Sequence, residues 1–177
     1  MHINWRKDGL NLALLAILFW GARYVFTPYF GLYEDDHTIL PNAVMMSFTE
    51  LIKFIGNYVI NLYGHARPLS NSFIYLFSNL GWHLADMQGA YIVGYLIEVL
   101  NICLFYLLIL RVFNRRLALI SSIAYALFAA DTTQIFLTHS LGLQPSITLL
   151  LLAFHSYISG KRILAYLLAG IILFSYE

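Results

Sequence analysis

The chain has 177 residues, of which 60% are hydrophobic and 11% are charged, and its formal net charge at pH 7 is +1. The mean hydropathy is +0.73. Because soluble domains carry about 25% charged residues, this composition excludes an ordinary soluble domain and indicates an integral membrane protein. A net charge so close to zero also argues against nucleic acid as a partner. Cys103 is the single cysteine, so neither an intrachain disulfide nor a metal–thiolate cluster can form.

Long apolar runs divide the chain into candidate membrane spans. A helix needs about 20 mostly apolar residues to cross a bilayer. Five runs approach that length, at residues 10–29, 87–110, 117–130, 141–158 and 163–177. The last run is short for a crossing, which suggests the N-terminal fragment of a longer protein. We therefore predict an all-α, polytopic transmembrane helix bundle that forms a single domain over residues 1–177.

The basic residues predict an orientation in the membrane. They fall into three short segments: Arg6 and Lys7, then Arg111, Arg115 and Arg116, then Lys161 and Arg162. If all five runs cross, these segments lie on one side, which the positive-inside rule assigns to the cytoplasm. Most acidic residues then lie on the other side. We expect a protein of the cytoplasmic (plasma) membrane with its N-terminus inside and the loop 30–86 outside.

The outer loop at residues 30–86 contains an amphipathic pattern. Polar residues recur every three or four positions between residues 42 and 63, and apolar residues fill the rest. This pattern predicts an amphipathic helix that lies in the outer interface, with Pro41 and Gly64 as start and stop signals. A second interfacial helix is expected at 70–84. A sixth span at 42–63 would put the basic segments on opposite sides, so we reject it.

An acidic triplet follows the first apolar run. Glu34, Asp35 and Asp36 are consecutive, in a chain that has only 9 acidic residues. Neighbouring carboxylates repel each other's charge, and a carboxylate at a membrane boundary suits a general base, a metal ligand or a cation site. The simpler interpretation is a solvated polar loop, in which His37 is solvated as well.

Further candidates lie in the outer loops. Arg67 is the only arginine of the first outer loop, and its planar guanidinium suits phosphate oxygens; a lipid-headgroup anchor is the alternative. Glu34 and His65 are additional candidates for substrate binding. Asp131 and His139 belong to the next outer loop, where they would join the acidic triplet as ligands of Mg²⁺ or Mn²⁺. The simpler interpretation of Asp131 is polarity at a helix end.

Charged residues inside the predicted spans mark functional or interior positions. Glu98 shares a helical face with Gly94 and Asn101, which favours a hydrogen bond in the bundle interior. Arg23 is expected to pair with an outer acid or to reach the interface. Both residues would matter most in a transporter or flippase for a lipid-linked or small solute, the alternative function. Transporters usually interrupt their spans with glycine or proline, and only Pro145 comes close to doing so.

The order of these features resembles the N-terminal part of the GT-C superfamily of multispanning glycosyltransferases. That superfamily includes protein O-mannosyltransferases, aminoarabinose transferases and oligosaccharyltransferases. The matching residues are Asp35-Asp36, then Gly64 and Arg67-Pro68-Leu69 with His65-Ala66 inserted between them. The ending Ser175-Tyr176-Glu177 is similar to a Ser-Tyr-Glu stretch at the outer end of a span in such proteins.

The resemblance implies a specific activity. Enzymes of this superfamily take a sugar from a polyprenyl-phosphate donor at the outer face and pass it to a glycan, lipid or protein acceptor of the cell envelope. By this resemblance Asp35, and after it Asp36, is the general base or orients the acceptor. Arg67 or a bound metal stabilises the departing phosphate. Asp131 matches the second acid of metal-dependent members, which implies a divalent cation, Mg²⁺ or Mn²⁺.

Overall fold

The computed structural model describes residues 5–61, 67–128 and 136–175. Every regular element within these ranges is helical, as the sequence predicts. The α-helices are α1 (Trp5–Phe19), α2 (Asp36–Met45), α3 (Phe48–Asn61), α4 (Pro68–Val112), α5 (Arg115–Ala126), α6 (Gln144–Ile158) and α7 (Arg162–Ile172). Two π-helical turns, Trp20–Tyr24 and His139–Leu143, and a 3-10 turn, Thr27–Tyr29, extend or precede them.

Three helices in the described part of the chain are long and apolar enough to cross a membrane. They are Lys7–Tyr29, Pro68–Val112 and His139–Ile158, and they coincide with the runs predicted at 10–29, 87–110 and 141–158. The predicted runs 117–130 and 163–177 correspond to the shorter helices α5 and α7, and their crossing remains a prediction.

Large apolar side chains remain exposed along one face of each long helix. Their spacing of three or four residues is that of a continuous helical stripe. A protein surrounded by water rarely exposes such contiguous apolar surface, so the pattern is consistent with a membrane protein. The exposed stripes include Leu10, Leu14 and Ile17 on α1, Ile92, Leu96 and Leu100 on α4, and Leu150 and Phe154 on α6.

Helix α4 consists of two arms that fold back on each other. The backbone is non-helical at Ala85 (φ −161°, ψ 47°) and at Asp86 (φ 51°, ψ −142°). A Cβ added to Gly81 would lie only 2.5 Å from the Cα of Ala90. In a straight helix the rise between those two positions is roughly 13 Å. The arm before Ala85 contains the residues 70–84 that were predicted as a separate helix, and its place in the interface stays a prediction. The arm after Asp86 contains the apolar run 87–110.

The structure divides the helix predicted at residues 42–63 into α2 and α3. Helix α2 ends at Met45, and the next residue, Met46, has an extended backbone with a ψ of 133°. Helix α3 begins with a capping box, in which the Ser47 N–H donates to Glu50 Oε2 at 2.9 Å and the Glu50 N–H donates to Ser47 Oγ at 3.4 Å, a strong local start signal. Pro41 does not start a helix but lies inside α2.

Helix α3 packs on the first arm of α4. The rings of Phe54 and Tyr75 have centroids 4.6 Å apart. The Asn71 side-chain amide donates to the Tyr58 hydroxyl at 2.8 Å. These contacts hold the outer-loop helices against the arm that begins directly after Arg67.

The basic segments meet at the end of the molecule opposite the outer-loop helices. Asp8 is fully buried and pairs with Arg115, whose Nε lies 2.8 Å from Asp8 Oδ1. The Tyr106 hydroxyl donates to the same oxygen at 3.0 Å. Arg111 donates to Ser159 Oγ at 2.8 Å. These bonds join the start of α1, the α4–α5 turn and the α6–α7 turn.

Candidate functional site

The three residues of the acidic triplet have different environments. A hydrogen bond from the Asp36 N–H to the Tyr33 carbonyl, 2.9 Å long, closes a turn there. Glu34 is exposed and has a positive φ of 46°, an uncommon conformation for a residue other than glycine. Asp35 is exposed at the start of α2, whereas Asp36 is fully buried. The triplet therefore does not act as a single charged cluster.

The Asp36 carboxylate joins the outer loop to the helix that begins near residue 137. Its Oδ2 accepts the Leu137 N–H at 3.0 Å, and its Oδ1 accepts the Thr138 N–H at 2.8 Å. The first N–H groups of a helix have no partner within the helix, and an anion is favoured there by the helix dipole. The Tyr33 N–H adds a longer bond of 3.4 Å. Asp36 thus holds together segments that are 101 residues apart in sequence.

Beside this joint lies a cavity of about 250 Å³. Asp35, Arg67 and His139 all line it, although they come from three separate segments of the chain. Its remaining lining is mixed: Ser70, Asn71 and Thr138 are polar, and Ile39, Ile74 and Leu143 are apolar. This volume is slightly below the range of about 300–1,000 Å³ that is typical of small-molecule sites.

Close packing at Gly142 brings two walls of the cavity together. A Cβ on Gly142 would lie 2.7 Å from Ile74 Cγ1 and 2.8 Å from Ser70 Oγ. The absence of a side chain at Gly142 leaves room for the side chains of Ser70 and Ile74, so the segment that carries His139 packs on the start of α4. At that same start, the Leu69 N–H donates to the Phe174 carbonyl at 3.0 Å, which attaches the end of α7 to the segment that carries Arg67.

The other predicted site residues are placed differently. Glu34 does not line the cavity. His65 and Asp131 lie outside the described residues, so their roles as substrate ligand and metal ligand stay predictions. In the described ranges, no group of three or more His, Cys, Asp or Glu side chains is placed to hold a metal ion. The cavity offers two such side chains, Asp35 and His139, and a Mg²⁺ or Mn²⁺ cofactor remains a prediction.

The cavity brings together a carboxylate, a guanidinium, an imidazole and neutral polar groups. The Asp35 carboxylate can accept a proton, and the Arg67 guanidinium can hold phosphate oxygens. Hydroxyl and amide groups of Ser70, Asn71 and Thr138 suit sugar hydroxyls. These three were not candidates from sequence, because Ser, Asn and Thr are common helix and turn residues and their relevance depends on a neighbour distant in the chain.

A second polar cluster lies within the long helices. Glu98 is 4% exposed and accepts a hydrogen bond from the Tyr24 hydroxyl at 2.8 Å. Asn101, one turn further along α4, donates to the Gln144 side chain at 2.8 Å. The Thr148 hydroxyl donates to Asn101 Oδ1 at 2.6 Å. The expected interior hydrogen bond of Glu98 is therefore present, and Asn101 lies in the adjoining network.

The predicted intramembrane Arg23 donates a hydrogen bond from its guanidinium to the carbonyl oxygen of Phe128, two residues after the end of α5.

Comparison with known proteins identified no matching family model, no matching curated protein and no matching solved structure.

Proposed function

We propose that the chain is a membrane glycosyltransferase of the GT-C type, which moves a sugar from a polyprenyl-phosphate donor to an acceptor at the outer face of the membrane. The observation that carries the proposal is the shared cavity of Asp35, Arg67 and His139. Residues from three separate segments there supply a carboxylate, a guanidinium and an imidazole beside apolar side chains. This combination suits an amphiphile with a phosphate and a sugar.

Arg67 and the apolar wall would bind the donor. The guanidinium offers a planar set of donors to two phosphate oxygens. Ile39, Ile74 and Leu143 provide apolar contact for the first part of the polyprenyl chain or for the sugar ring. The charge that develops on the departing phosphate is stabilised by a cation already in position.

Asp35 would act as the general base. The acceptor hydroxyl attacks the anomeric carbon while the bond from that carbon to the phosphate oxygen breaks. Asp35 takes the proton of the hydroxyl, and the electron pair of the broken bond goes to the phosphate beside Arg67. Because the acceptor attacks opposite the leaving group, the anomeric configuration inverts. A positioned base of this kind contributes about 10²–10⁴-fold in rate.

The exposed apolar residues of α3 support a place at the membrane surface. Phe48, Ile52 and Val59 are exposed and recur on one face, opposite the exposed Glu50 and Asn57. An amphipathic helix of this kind lies in the plane of the interface with its apolar face among the lipids. The cavity would then open near the outer headgroups, where the donor phosphate resides, while the basic segments face the cytoplasm.

A transfer assay tests the proposal. Membranes from cells that express the gene are incubated with polyprenyl-phosphate hexoses carrying a radiolabelled sugar, and label in the acceptor fraction is measured. We expect Asp35→Asn to lower transfer by about 10²-fold or more. Glu34→Gln is the matched control, because Glu34 is exposed in the same loop and lies outside the cavity lining.

Binding of a polyprenyl monophosphate without sugar, measured by native mass spectrometry, separates donor binding from chemistry. Arg67→Lys should weaken this binding about tenfold, because lysine keeps the charge but loses the planar fork. Asp35→Asn should leave it unchanged. Full transfer activity in Asp35→Asn would refute the catalytic role of Asp35.

The buried polar cluster favours the second candidate function, a transporter or flippase. Ionisable residues inside a membrane often mark the path of a solute or proton, and Glu98 contacts Tyr24 and Ser140 from two other helical segments. Reconstitution in vesicles distinguishes the two functions. A flippase moves a fluorescent polyprenyl-phosphate lipid between leaflets and needs the ionisable carboxyl of Glu98, so Glu98→Gln abolishes that movement. The glycosyltransferase transfers sugar, tolerates Glu98→Gln and loses activity in Asp35→Asn.

A further inference from the structure

A short turn of the chain is held from two sides by buried carboxylates. Asp36 accepts the N–H groups of Leu137 and Thr138, at 3.0 Å and 2.8 Å. Glu98 accepts the hydroxyl of Ser140 at 3.3 Å. Asp36 comes from the outer loop and Glu98 from the middle of α4, so the two anchors are independent. His139 lies between the residues that these bonds hold. It is exposed and lines the cavity.

The packing around Glu98 is closely fitted. One carboxylate oxygen of Glu98 accepts both the Tyr24 hydroxyl, at 2.8 Å, and the Ser140 hydroxyl. Gly94 lies one helical turn before Glu98, and a Cβ there would lie 3.1 Å from the Cβ of Ser140. Such a contact is tighter than ordinary van der Waals packing, so glycine leaves just enough room for Ser140 to reach the carboxylate.

Both hydroxyls come from π-helical turns. Tyr24 ends the turn Trp20–Tyr24, and Ser140 belongs to the turn His139–Leu143. Such turns are rare in proteins and frequently occur at functional sites. In the part of the chain that the structure describes, each π-helical turn thus directs one hydroxyl to the same buried acid. The irregular backbone at residues 139–143 is stabilised by a side-chain bond from outside its own helix.

We propose that Glu98 is a positioning residue for the candidate site. Together with Asp36 it fixes residues 137–140, so that His139 and Thr138 present their side chains to the cavity. The inference rests on the proposed function for its effect on sugar transfer, but the positioning itself is a property of the fold. A displacement of about 1 Å at a reacting group can lower a rate about 10²-fold, which gives such an anchor a role in activity.

The role needs a hydrogen-bond acceptor at residue 98 and does not need a negative charge or a proton. In Glu98→Gln the amide oxygen still accepts the hydroxyls of Tyr24 and Ser140. In Glu98→Leu both hydroxyls lose the Glu98 carboxylate as acceptor, and the turn loses its bond to α4. If Glu98 carried a proton or an ion through the membrane, glutamine would fail as leucine does.

Amide hydrogen exchange by mass spectrometry, on the protein in lipid nanodiscs, measures the turn directly. We expect Glu98→Leu to speed exchange in peptides covering residues 137–143 by about tenfold, with no change in α2. The Glu98→Gln variant should match the wild type. Should the leucine variant fail to fold, Gly94→Ala provides the second perturbation, because it keeps Glu98 and displaces Ser140. It should speed exchange in the same peptides.

Sugar transfer is measured on the same variants. The kcat/KM of Glu98→Leu should fall between about 10-fold and 10²-fold, and that of Glu98→Gln should stay within about twofold of wild type. Unchanged exchange at 137–143 in both the leucine and the Gly94→Ala variants overturns the proposal, as does a glutamine variant that behaves like leucine. If only the glycosyltransferase proposal is wrong, Asp35→Asn keeps full transfer activity, while Glu98→Leu and Gly94→Ala still speed amide exchange at residues 137–143.

Discussion

Replacing Asp36 by alanine should destabilise the protein far more than replacing its neighbour Asp35. The Asp36 carboxylate is fully buried and accepts two short N–H bonds, at 3.0 Å and 2.8 Å. A hydrogen bond to a charged group contributes about 1.5–3 kcal/mol. Two such bonds at the lower value give about 3 kcal/mol, and the amides left buried without their acceptor raise the expected cost to about 3–5 kcal/mol.

The free energy of unfolding is measured in mixed micelles by titration with a denaturing detergent, followed by circular dichroism. Asp35→Ala is the matched control, since an exposed substitution usually changes stability by about 0.5 kcal/mol or less. Asp36→Asn should fall between the two, because its amide keeps one acceptor oxygen but turns an N–H donor toward the second backbone donor.

The reasoning would be refuted if Asp36→Ala and Asp35→Ala lowered the free energy of unfolding equally. The carboxylate would then not hold the start of the helix at residue 137. A large loss in Asp36→Ala would also explain any loss of sugar transfer in that variant without a catalytic role, so Asp35 is the residue whose substitution tests the chemistry.

Three further predictions concern other parts of the fold. Arg115→Ala should lower the free energy of unfolding more than Asp8→Ala does in the same titration. The first change leaves the buried Asp8 carboxylate without its cation, whereas the second leaves only the Arg115 side chain, which is 35% exposed. Gly81→Ala should cost about 2 kcal/mol or more, since the added Cβ meets backbone 2.5 Å away, while Gly170→Ala, with open space around it, should not. Hydrogen bonds from Ser47 lower the pKa of Glu50 below its ordinary 4.5. The cap therefore stabilises α3 fully above about pH 4.5, and this stabilisation is lost as the pH falls through the lower folded-state pKa. Amide exchange in α3 should become faster at low pH, and exchange that does not respond to pH would contradict the prediction.

The helical fold class and the long apolar helices were predictable from sequence because they depend on local properties. A run of apolar residues near 20 in length satisfies its own backbone hydrogen bonds as a helix and needs no distant partner. The grouping of basic segments at one end follows from counting crossings. The division of the outer loop at Met46 was missed because a capping box at Ser47 is a short local signal inside a longer amphipathic pattern.

The sequence by itself determined which residues were worth considering, and among them were Asp35, Arg67 and His139. Only the tertiary structure decided that these three share a cavity while Asp36, adjacent to Asp35, is buried against a helix start 101 residues away. The physical reason is twofold. Successive residues at a helix start point in directions about 100° apart, so neighbours in sequence face different surroundings. What each one meets depends on long-range packing, here on Gly142 and on two buried carboxylates, which no local pattern of residues encodes.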